Sequence, residues 1–300
     1  MRLGVLPLFS LGILSLFWGY SWIWNKLALL DAGPFSFSAY RMVIAASALL
    51  LALPLTGRRL RPQGLRELLT LGLVQTTGFV GLSMWALVEG GVGSTSILVF
   101  TMPFWTLLLA WPLLGERVQG AQWAAGGLAA LGLLIILQPW NLHGSLLSKL
   151  LGLISGMLWA IGSIMVKRMQ RTRPRDLLSL TAWQMMLGAL PLIAIAVLSG
   201  EPPVVWSSRF IGVLLVTSLL STAMGWCLWV YVLKQVEAGI AGMSMLAVPV
   251  IAILSAAWHF DERPRPEEMI GMGLILLALM IIGIRALVRH TEVAGPMGQE

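Results

Sequence analysis

The sequence predicts an all-α integral membrane protein with ten transmembrane helices, arranged as two inverted five-helix repeats. Three observations predict this fold: the composition, the spacing of apolar stretches, and a match between the two halves. Hydrophobic residues form 58% of the 300 residues and charged residues only 11%, whereas soluble domains have roughly 45–50% and about 25%. A soluble globule cannot bury this excess of apolar residues, so a lipid bilayer is the expected solvent.

The charge and the cysteine content exclude several other classes. A nucleic-acid-binding domain carries its basic residues as a surface patch on a polar fold. Here the net charge of +7 is distributed over short gaps between apolar runs. The single cysteine, Cys227, cannot form an intrachain disulfide. The first apolar run, from Val5 to about Leu30, lacks a small-residue cleavage site, and we expect it to span the membrane rather than to be removed.

Ten apolar stretches are long enough to cross a bilayer. A hydrocarbon core about 30 Å thick requires roughly 20 helical residues, and helices satisfy their backbone polar groups without water. The predicted spans lie near residues 8–30, 34–55, 67–88, 93–114, 119–138, 148–168, 177–198, 211–233, 239–260 and 268–288. The gaps between them are short, so we expect no inserted soluble domain.

Basic residues are divided unevenly between the two sides of the predicted membrane. If the N-terminus is cytoplasmic, the inner segments hold 14 of the 20 Lys and Arg residues and the outer segments hold 5. Arg41, within the second span, belongs to neither group. Because basic residues accumulate on the cytoplasmic side, we expect both termini to be cytoplasmic.

The two halves of the chain match each other at a nearly constant offset, which drifts only from 141 to 146 residues. The matched pairs are Trp18 and Trp159, Lys26 and Lys167, Trp85 and Trp229, Pro103 and Pro249, and Glu116 and Glu262. Since each copy has five spans, the second copy enters the membrane from the opposite side. We therefore predict a first repeat in residues 1–140, an inverted repeat in 141–290 and a cytoplasmic tail in 291–300. Such repeats are typical of secondary transporters, although a duplication can also serve only to build a stable bundle.

The motifs that carry this match resemble a known family. They are the Trp-Gly-x-Ser opening at Trp18, its echo at Trp159, and two Pro-x12-Glu-Arg elements. Over residues 8–288 they resemble the drug/metabolite transporter superfamily, in particular its EamA-like ten-helix members. The resemblance implies metabolite export across the bacterial inner membrane, and the chain looks most like exporters of amino acids, including aromatic ones. The Glu-Arg elements look like topological anchors, and no binding role is carried over to them.

Inverted repeats place a solute site near mid-membrane, where the repeats meet. Family resemblance implies that helices 1, 3, 4, 6, 8 and 9 line it. We expect Pro103 and Pro249 near the middle of helices 4 and 9, where a kink permits gating; a merely tolerated kink is the alternative.

The predicted substrate-binding residues are Trp18, Gln75, Phe79, Phe100, Met102, Trp159, Ser163, Trp226 and Met243. Together they suggest a neutral, amphipathic or zwitterionic solute with a substantial apolar part. Their alternative roles are filling gaps and hydrogen bonding between helices.

No Asp or Glu is predicted at mid-membrane. Proton-coupled carriers usually keep an ionisable group there, so we expect a facilitator without carboxylate-based proton coupling. Lys26 and Arg41 are the most embedded charges. We expect both to extend to the outer interface, and attraction of a substrate carboxylate is the alternative.

Catalysis finds little support in the sequence. The three histidines lack metal-ligand spacing, and neither a Walker sequence nor a Gly-x-Ser-x-Gly element is present.

We expect no cofactor, no metal and no nucleic acid. The expected partners are a small-molecule substrate and the lipid bilayer, and a monomer is compatible with the sequence. The alternatives are an exporter of drugs or other metabolites in the same superfamily and, from another class, a polytopic membrane enzyme or receptor.

Overall fold

The computed structural model describes residues 5–90, 92–116, 120–137, 146–236, 238, 241–242, 245–260 and 266–293. All regular secondary structure within these residues is helical, which confirms the predicted all-α class for the described part of the chain. The helices are α1 (Val5–Ala28), α2 (Pro34–Leu55), α3 (Leu65–Leu71, Gly72–Val80 and Gly81–Gly90 in succession), α4a (Val92–Val99), α4b (Met102–Leu114), α5 (Ala121–Leu137), α6 (Leu146–Thr172), α7 (Leu177–Leu198), α8 (Ser208–Val216, Thr217–Met224 and Gly225–Gln235 in succession), α9 (Ala247–Phe260) and α10 (Pro266–Val293).

Several helices have the length and composition of membrane spans. Among the described residues, five helices are long and apolar enough to cross a bilayer: Pro34–Leu55, Leu65–Glu89, Leu146–Thr172, Leu177–Leu198 and Ser208–Gln235. Shorter apolar helices accompany them at Met102–Leu114, Trp123–Ile135 and Met269–Ala278. These lengths fit the roughly 20 residues that a hydrocarbon core requires.

The fourth predicted span is two helices, so the prediction of one continuous helix over 93–114 is wrong. Phe100 and Thr101 form a turn between α4a and α4b, where the Thr101 N–H donates to the Leu98 carbonyl (3.2 Å). Pro103 lies in the first turn of α4b. Proline is tolerated there because the first N–H groups of a helix have no intrahelical acceptor. The expected mid-helix kink at Pro103 is therefore wrong: this proline lies where a helix begins.

Pro249 occupies the corresponding position in the second half. It is the third residue of α9, which follows a turn at Met245 and Leu246. The Met245 N–H donates to the Gly242 carbonyl (3.0 Å). The expected mid-helix position of Pro249 is thus also wrong, for the same physical reason.

Two π-helical segments interrupt α3 and α8 at matching places. They span Gly72–Val80 and Thr217–Met224, and sequence analysis did not anticipate either. In a π-helix the backbone bonds reach one residue further than in an α-helix, and such segments are frequent at functional sites. The side-chain hydroxyl of Thr222 likewise donates to the carbonyl five residues earlier, that of Thr217 (2.8 Å).

Close helix crossings are built on glycine. α2 packs along α7, α3 and α4b pack on α6, α1 packs along α9, and α5 packs along α10. A Cβ on Gly72 of α3 would lie 2.7 Å from the Gln184 carbonyl oxygen, and a Cβ on Gly156 of α6 would lie 2.9 Å from the Val99 carbonyl oxygen. Only glycine permits these approaches of one backbone to another.

Polar contacts gather at two opposite ends of the bundle. At the first end, Arg58 pairs with Asp176 (2.7 Å) beside the loop that precedes α3; we call this the Arg58 end. At the second, Arg209 pairs with Asp31 (2.9 Å) in the loop after α1; we call this the Asp31 end. There, the Glu201 carboxylate also accepts from backbone N–H groups in the first turn of α2. These contacts join helices of the two halves at both ends.

Candidate substrate cavity

A cavity lies between helices of both halves. Its volume, counted as the space open to the centres of water molecules, is about 70 Å³, whereas one water needs about 10–15 Å³ on this measure. All empty space, including the open mouth, is about 580 Å³. The lining residues are Trp18, Ser21, Trp22, Asn25, Arg41, Phe79, Val80, Ser83, Met84, Val99, Phe100, Met102, Trp159, Ser221, Thr222, Trp226 and Val248.

Trp159 of α6 is the centre of an aromatic cluster within this lining. It is 2% exposed, and its ring contacts Phe79 at 4.7 Å and Trp18 at 5.1 Å between centroids. Trp226 packs edge-on against it at 5.4 Å. Such edge-to-face and tilted arrangements are favourable because the positive ring edge meets a negative ring face. The cluster joins α1, α3, α6 and α8 and forms an apolar wall.

The π-helical segment of α8 supplies a hydrogen-bond partner for this wall. The Trp18 indole N–H donates to the Ser221 carbonyl (2.8 Å). Gly225, which follows the segment, leaves the space that Trp18 occupies, because a Cβ there would lie 2.7 Å from the indole nitrogen. A buried indole N–H requires such a partner, and the glycine allows the close approach.

A polar section adjoins the aromatic wall. Arg41 of α2 is 7% exposed and lines the cavity, and one of its guanidinium nitrogens donates to the Asn25 side-chain oxygen (2.9 Å). Its guanidinium carbon lies 5.2 Å from the centre of the Phe37 ring. The expectation that Arg41 extends to the outer interface is therefore wrong, since its side chain is buried between helices.

Six of the nine predicted substrate-binding residues line the cavity: Trp18, Phe79, Phe100, Met102, Trp159 and Trp226. Two others lie elsewhere, because Gln75 packs against Gly162 at the crossing of α3 and α6 and Ser163 accepts from the Trp229 indole (3.2 Å). Met243 lies outside the described residues. Contact of any of them with a solute stays a prediction.

The two predicted gating prolines adjoin the helix breaks rather than the cavity wall. Pro103 is buried, and a Cβ on Gly242, just before α9, would lie 3.5 Å from its Cα. The start of α4b therefore approaches Gly242, which lies five residues before the start of α9. Gating by Pro103 and Pro249 stays a prediction.

Several lining residues were missed by sequence reasoning, namely Ser21, Trp22, Asn25, Ser83 and Met84. Asn25 carried one usable signal: it lies seven residues after Trp18, which is two helical turns and hence the same face of α1. Ser83 carried none, because a hydroxyl in a membrane helix usually bonds its own backbone. It does so here, to the Val80 carbonyl (3.0 Å).

A buried ion-pair network lies at the Arg58 end. Glu116, just after α4b, accepts from Arg171 (2.5 Å) and lies 3.2 Å from Lys167 of α6. The Glu116 and Lys167 side chains are only 8% and 7% exposed. Glu116 also accepts from the Ala238 N–H (2.7 Å), and Lys167 donates to the Val236 carbonyl. We call this the Glu116 network. It joins α4b, α6 and the chain after α8, so Glu116 does more than mark a helix end.

Most of the chain is similar to proteins described as transporters or efflux pumps. A model of the EamA-like transporter family matches residues 6–138 and again residues 146–284. The "Uncharacterized transporter YoaV" of Bacillus subtilis (strain 168) is 29% identical over 279 residues, which is 90% of this chain and 93% of that protein. A "Probable amino-acid metabolite efflux pump" of Escherichia coli (strain K12) is 28% identical over 287 residues, again 90% and 93%.

A solved crystal structure shares the fold. It is 17% identical, covers 93% of this chain and 97% of its own chain, and superposes with a TM-score of 0.76. The resemblance of the Trp-Gly-x-Ser and Pro-x12-Glu-Arg motifs to EamA-like proteins is thus confirmed by the family match. With helices that fit a bilayer and two matches that together cover most of its length, this chain belongs to the EamA-like transporter family and is a membrane transporter.

Proposed function

We propose that the protein exports small amphipathic metabolites, amino acids including aromatic ones among them, from the bacterial cytoplasm. The observation that carries this proposal is the aromatic cavity around Trp159, which adjoins the polar section at Arg41 and Asn25. An apolar wall with few polar groups is typical of sites for small organic molecules. The similarity to a probable amino-acid metabolite efflux pump supports the same solute class.

In this proposal the chain crosses the membrane ten times, as two inverted five-helix repeats. The duplicated family match supports it. So do the paired π-helical segments, Gly72–Val80 and Thr217–Met224, which begin 145 residues apart. The paired helix starts beside Pro103 and Pro249 give a third correspondence, at an offset of 146. Each correspondence preserves the order of the sequence match.

The Arg58 end is cytoplasmic in this proposal, because most of the Lys and Arg residues lie in the segments assigned to it. The membrane is then the bacterial inner membrane. The Asp31 end faces outward. Its acidic and basic groups, Asp31, Glu201 and Arg209, are held in local contacts.

The proposed mechanism is alternating access. The Glu116 network holds the cytoplasmic ends of α4b and α6 together, and opening this side requires that its ion pairs break. The hinges are the turns before α4b and α9. None of the described residues that line the cavity is acidic, which favours a facilitator over a carboxylate-based proton exchanger.

A reconstituted vesicle assay tests the proposal. Purified protein in proteoliposomes should give saturable uptake of labelled phenylalanine, equally with and without an imposed pH gradient. Trp159→Ala should reduce this uptake at least about tenfold, since a buried aromatic residue contributes several kcal/mol of contacts. Trp123→Ala is the matched control, because Trp123 is 62% exposed on α5 and should transport normally.

Four outcomes would contradict parts of the proposal. Dependence on the pH gradient would overturn the facilitator mechanism. Normal transport by Trp159→Ala would remove the cavity as the site. Chemical conversion of the solute without movement would overturn transport of that solute and favour an enzyme. Uptake of other amphipathic compounds but of no amino acid would shift the substrate to drugs or other metabolites.

A further inference from the structure

Within the residues that the structure describes, the guanidinium of Arg41 is a buried cation without a buried counter-charge. Its side chain is 7% exposed, and its Nε is buried and has no hydrogen-bond partner. A guanidinium has five N–H donors, and the contact to Asn25 uses one of them. A buried charge is unfavourable unless it is paired and hydrogen-bonded. The arginine is therefore in a site that an anion would complete.

Four carboxylates of the described residues form ion pairs with other cations. Asp31 pairs with Arg209, Glu67 with Arg175, Asp176 with Arg58, and Glu116 with Lys167 and Arg171. Within the described part of the chain, no carboxylate lies within ion-pair distance of Arg41, and none lines the cavity. The neutral side chain of Asn25 orients the guanidinium without neutralising it. The missing negative charge is left for a bound molecule.

The polar and apolar parts of the cavity lie at different depths. Asn25 is three residues before the end of α1, about 4.5 Å along the helix, whereas Trp18 is ten residues before it, about 15 Å. Arg41 lies seven residues after the start of α2, about 10 Å from the Asp31 end. A solute with its charged group at Arg41 therefore directs its other end toward Trp18, Trp159 and Phe79.

Among the described lining residues, a positively charged group on the solute would find no carboxylate. The hydroxyls of Ser21 and Ser83 donate to the Trp18 and Val80 carbonyls of their own helices. Their oxygens and the Ser221 carbonyl are weak partners for an ammonium compared with a carboxylate. The electrostatics of the cavity therefore favour an anion over a zwitterion, and a zwitterion over a cation.

We propose that Arg41, oriented by Asn25, is a carboxylate-binding subsite, and that the cavity takes monocarboxylates whose apolar or aromatic body packs on the Trp159 cluster. This inference rests on the proposed transport function and narrows its substrate class. Bidentate bonding of a guanidinium to a carboxylate adds both strength and orientation. The bound pair is electrically neutral, so carrier and solute can rearrange without an unpaired charge in the membrane.

Binding of three matched phenyl compounds to the purified full-length protein tests this subsite. We expect 3-phenylpropionate to bind at least about tenfold more tightly than phenethylamine, with phenylalanine between them, as measured by calorimetry in detergent. Acetate, which has the carboxylate without the apolar body, should compete only weakly. Equal affinity for the three phenyl compounds, or equal competition by acetate, would overturn the proposal.

Three variants separate charge from geometry. Arg41→Gln should weaken 3-phenylpropionate binding about tenfold or more without weakening phenethylamine binding, because it removes a charge that repels the ammonium. Arg41→Lys should restore part of the loss. Asn25→Asp supplies a carboxylate next to Arg41 and should weaken binding of 3-phenylpropionate. Because the arginine is retained, this variant tests the subsite even if Arg41→Gln does not fold. Arg168→Gln, an exposed arginine on α6, is the control and should bind normally. Unchanged anion affinity in Arg41→Gln or Asn25→Asp would overturn the proposal.

The vesicle assay distinguishes this inference from the transport function. Uptake of phenylalanine that Arg41→Gln leaves intact would retain the transporter and remove the subsite. Tight, Arg41-dependent binding of 3-phenylpropionate without any uptake would retain the subsite and overturn its role in transport.

Discussion

The Trp18 indole N–H donates to the Ser221 carbonyl over 2.8 Å, and this bond joins the middle of α1 to the π-helical segment of α8. Trp18 also contacts Trp159 edge-on. The orientation of the aromatic wall therefore depends on the backbone of α8. A helix irregularity in one half of the chain positions a side chain from the other half.

The space that Gly225 leaves for Trp18 should be required for stability. Gly225→Ala places a Cβ 2.7 Å from the indole nitrogen, and such overpacking costs about 1–3 kcal/mol. We expect the melting temperature in detergent to fall by several degrees. Gly212→Ala in the same helix is the control, because nothing lies within 4 Å of a Cβ there, and it should be neutral or slightly stabilising. Equal melting temperatures for both variants would contradict the packing argument.

The Glu116 network should keep the Arg58 end closed. Glu116→Gln leaves the buried Lys167 without its carboxylate, and breaking a buried pair costs about 3–5 kcal/mol. On a Cys227→Ser background, a reporter thiol at the buried position Val166 should react with a water-soluble maleimide about tenfold faster or more.

Glu67→Gln provides the comparison for that experiment. Its pair with Arg175 lies at the same end, but the Glu67 side chain is 48% exposed, and exposed pairs contribute only about 0–1 kcal/mol. Labelling should therefore change little. If Glu116→Gln also leaves the labelling rate unchanged, the network does not hold this end closed.

The start of α4b should control transport rate more than insertion. Pro103→Ala restores a backbone N–H and removes the fixed φ angle at the break between α4a and α4b. We expect a several-fold lower uptake rate with an unchanged amount of membrane-inserted protein. Pro112→Ala, an exposed position later in α4b, should have little effect. Unchanged uptake by Pro103→Ala would remove the gating role.

The ion pair at the Asp31 end should make stability depend on acid pH. The hydrogen bond from Arg209 lowers the pKa of Asp31 below its ordinary value of 3.8. The unfolded chain therefore binds a proton at Asp31 more readily than the folded protein does. The stabilisation by the ion pair is fully present above pH 3.8 and is lost as the pH falls through the lower pKa of the folded state. Asp31→Asn should therefore melt below the parent protein at pH 7, and the difference should shrink below pH 3.8. A difference that is independent of pH would contradict this.

Much of the helical organisation follows from local properties of the chain. The predicted spans 34–55 and 177–198 coincide with α2 and α7, because each apolar run ends at residues that cannot continue it. The break in α4 was missed although Pro103 was singled out. Proline is compatible with a kink inside a helix and with the first turn of a new one, and only the turn at Thr101 decides between them.

Part of the candidate site was likewise predicted from the sequence, and part was not. Trp18 and Trp159 were identified from the internal match, and both line the cavity. Gln75 was also predicted to bind substrate, as a polar residue in the middle of a span, yet it faces Gly162 at a helix crossing. Arg41 was expected at the interface because a lone charge in an apolar run usually reaches water. It is buried because Asn25 and Phe37 hold it between helices.

The sequence alone determined the all-helical class, the apolar stretches and the similarity of the two halves, since these depend on composition and order along the chain. The tertiary structure decided which side chains share a cavity. That choice depends on how each helix is rotated about its axis. Glycine contacts, such as Gly156 against Val99, and the π-helical segments set this rotation. A residue's neighbours on another helix are not encoded in its local pattern, because they follow from packing between elements far apart in the chain.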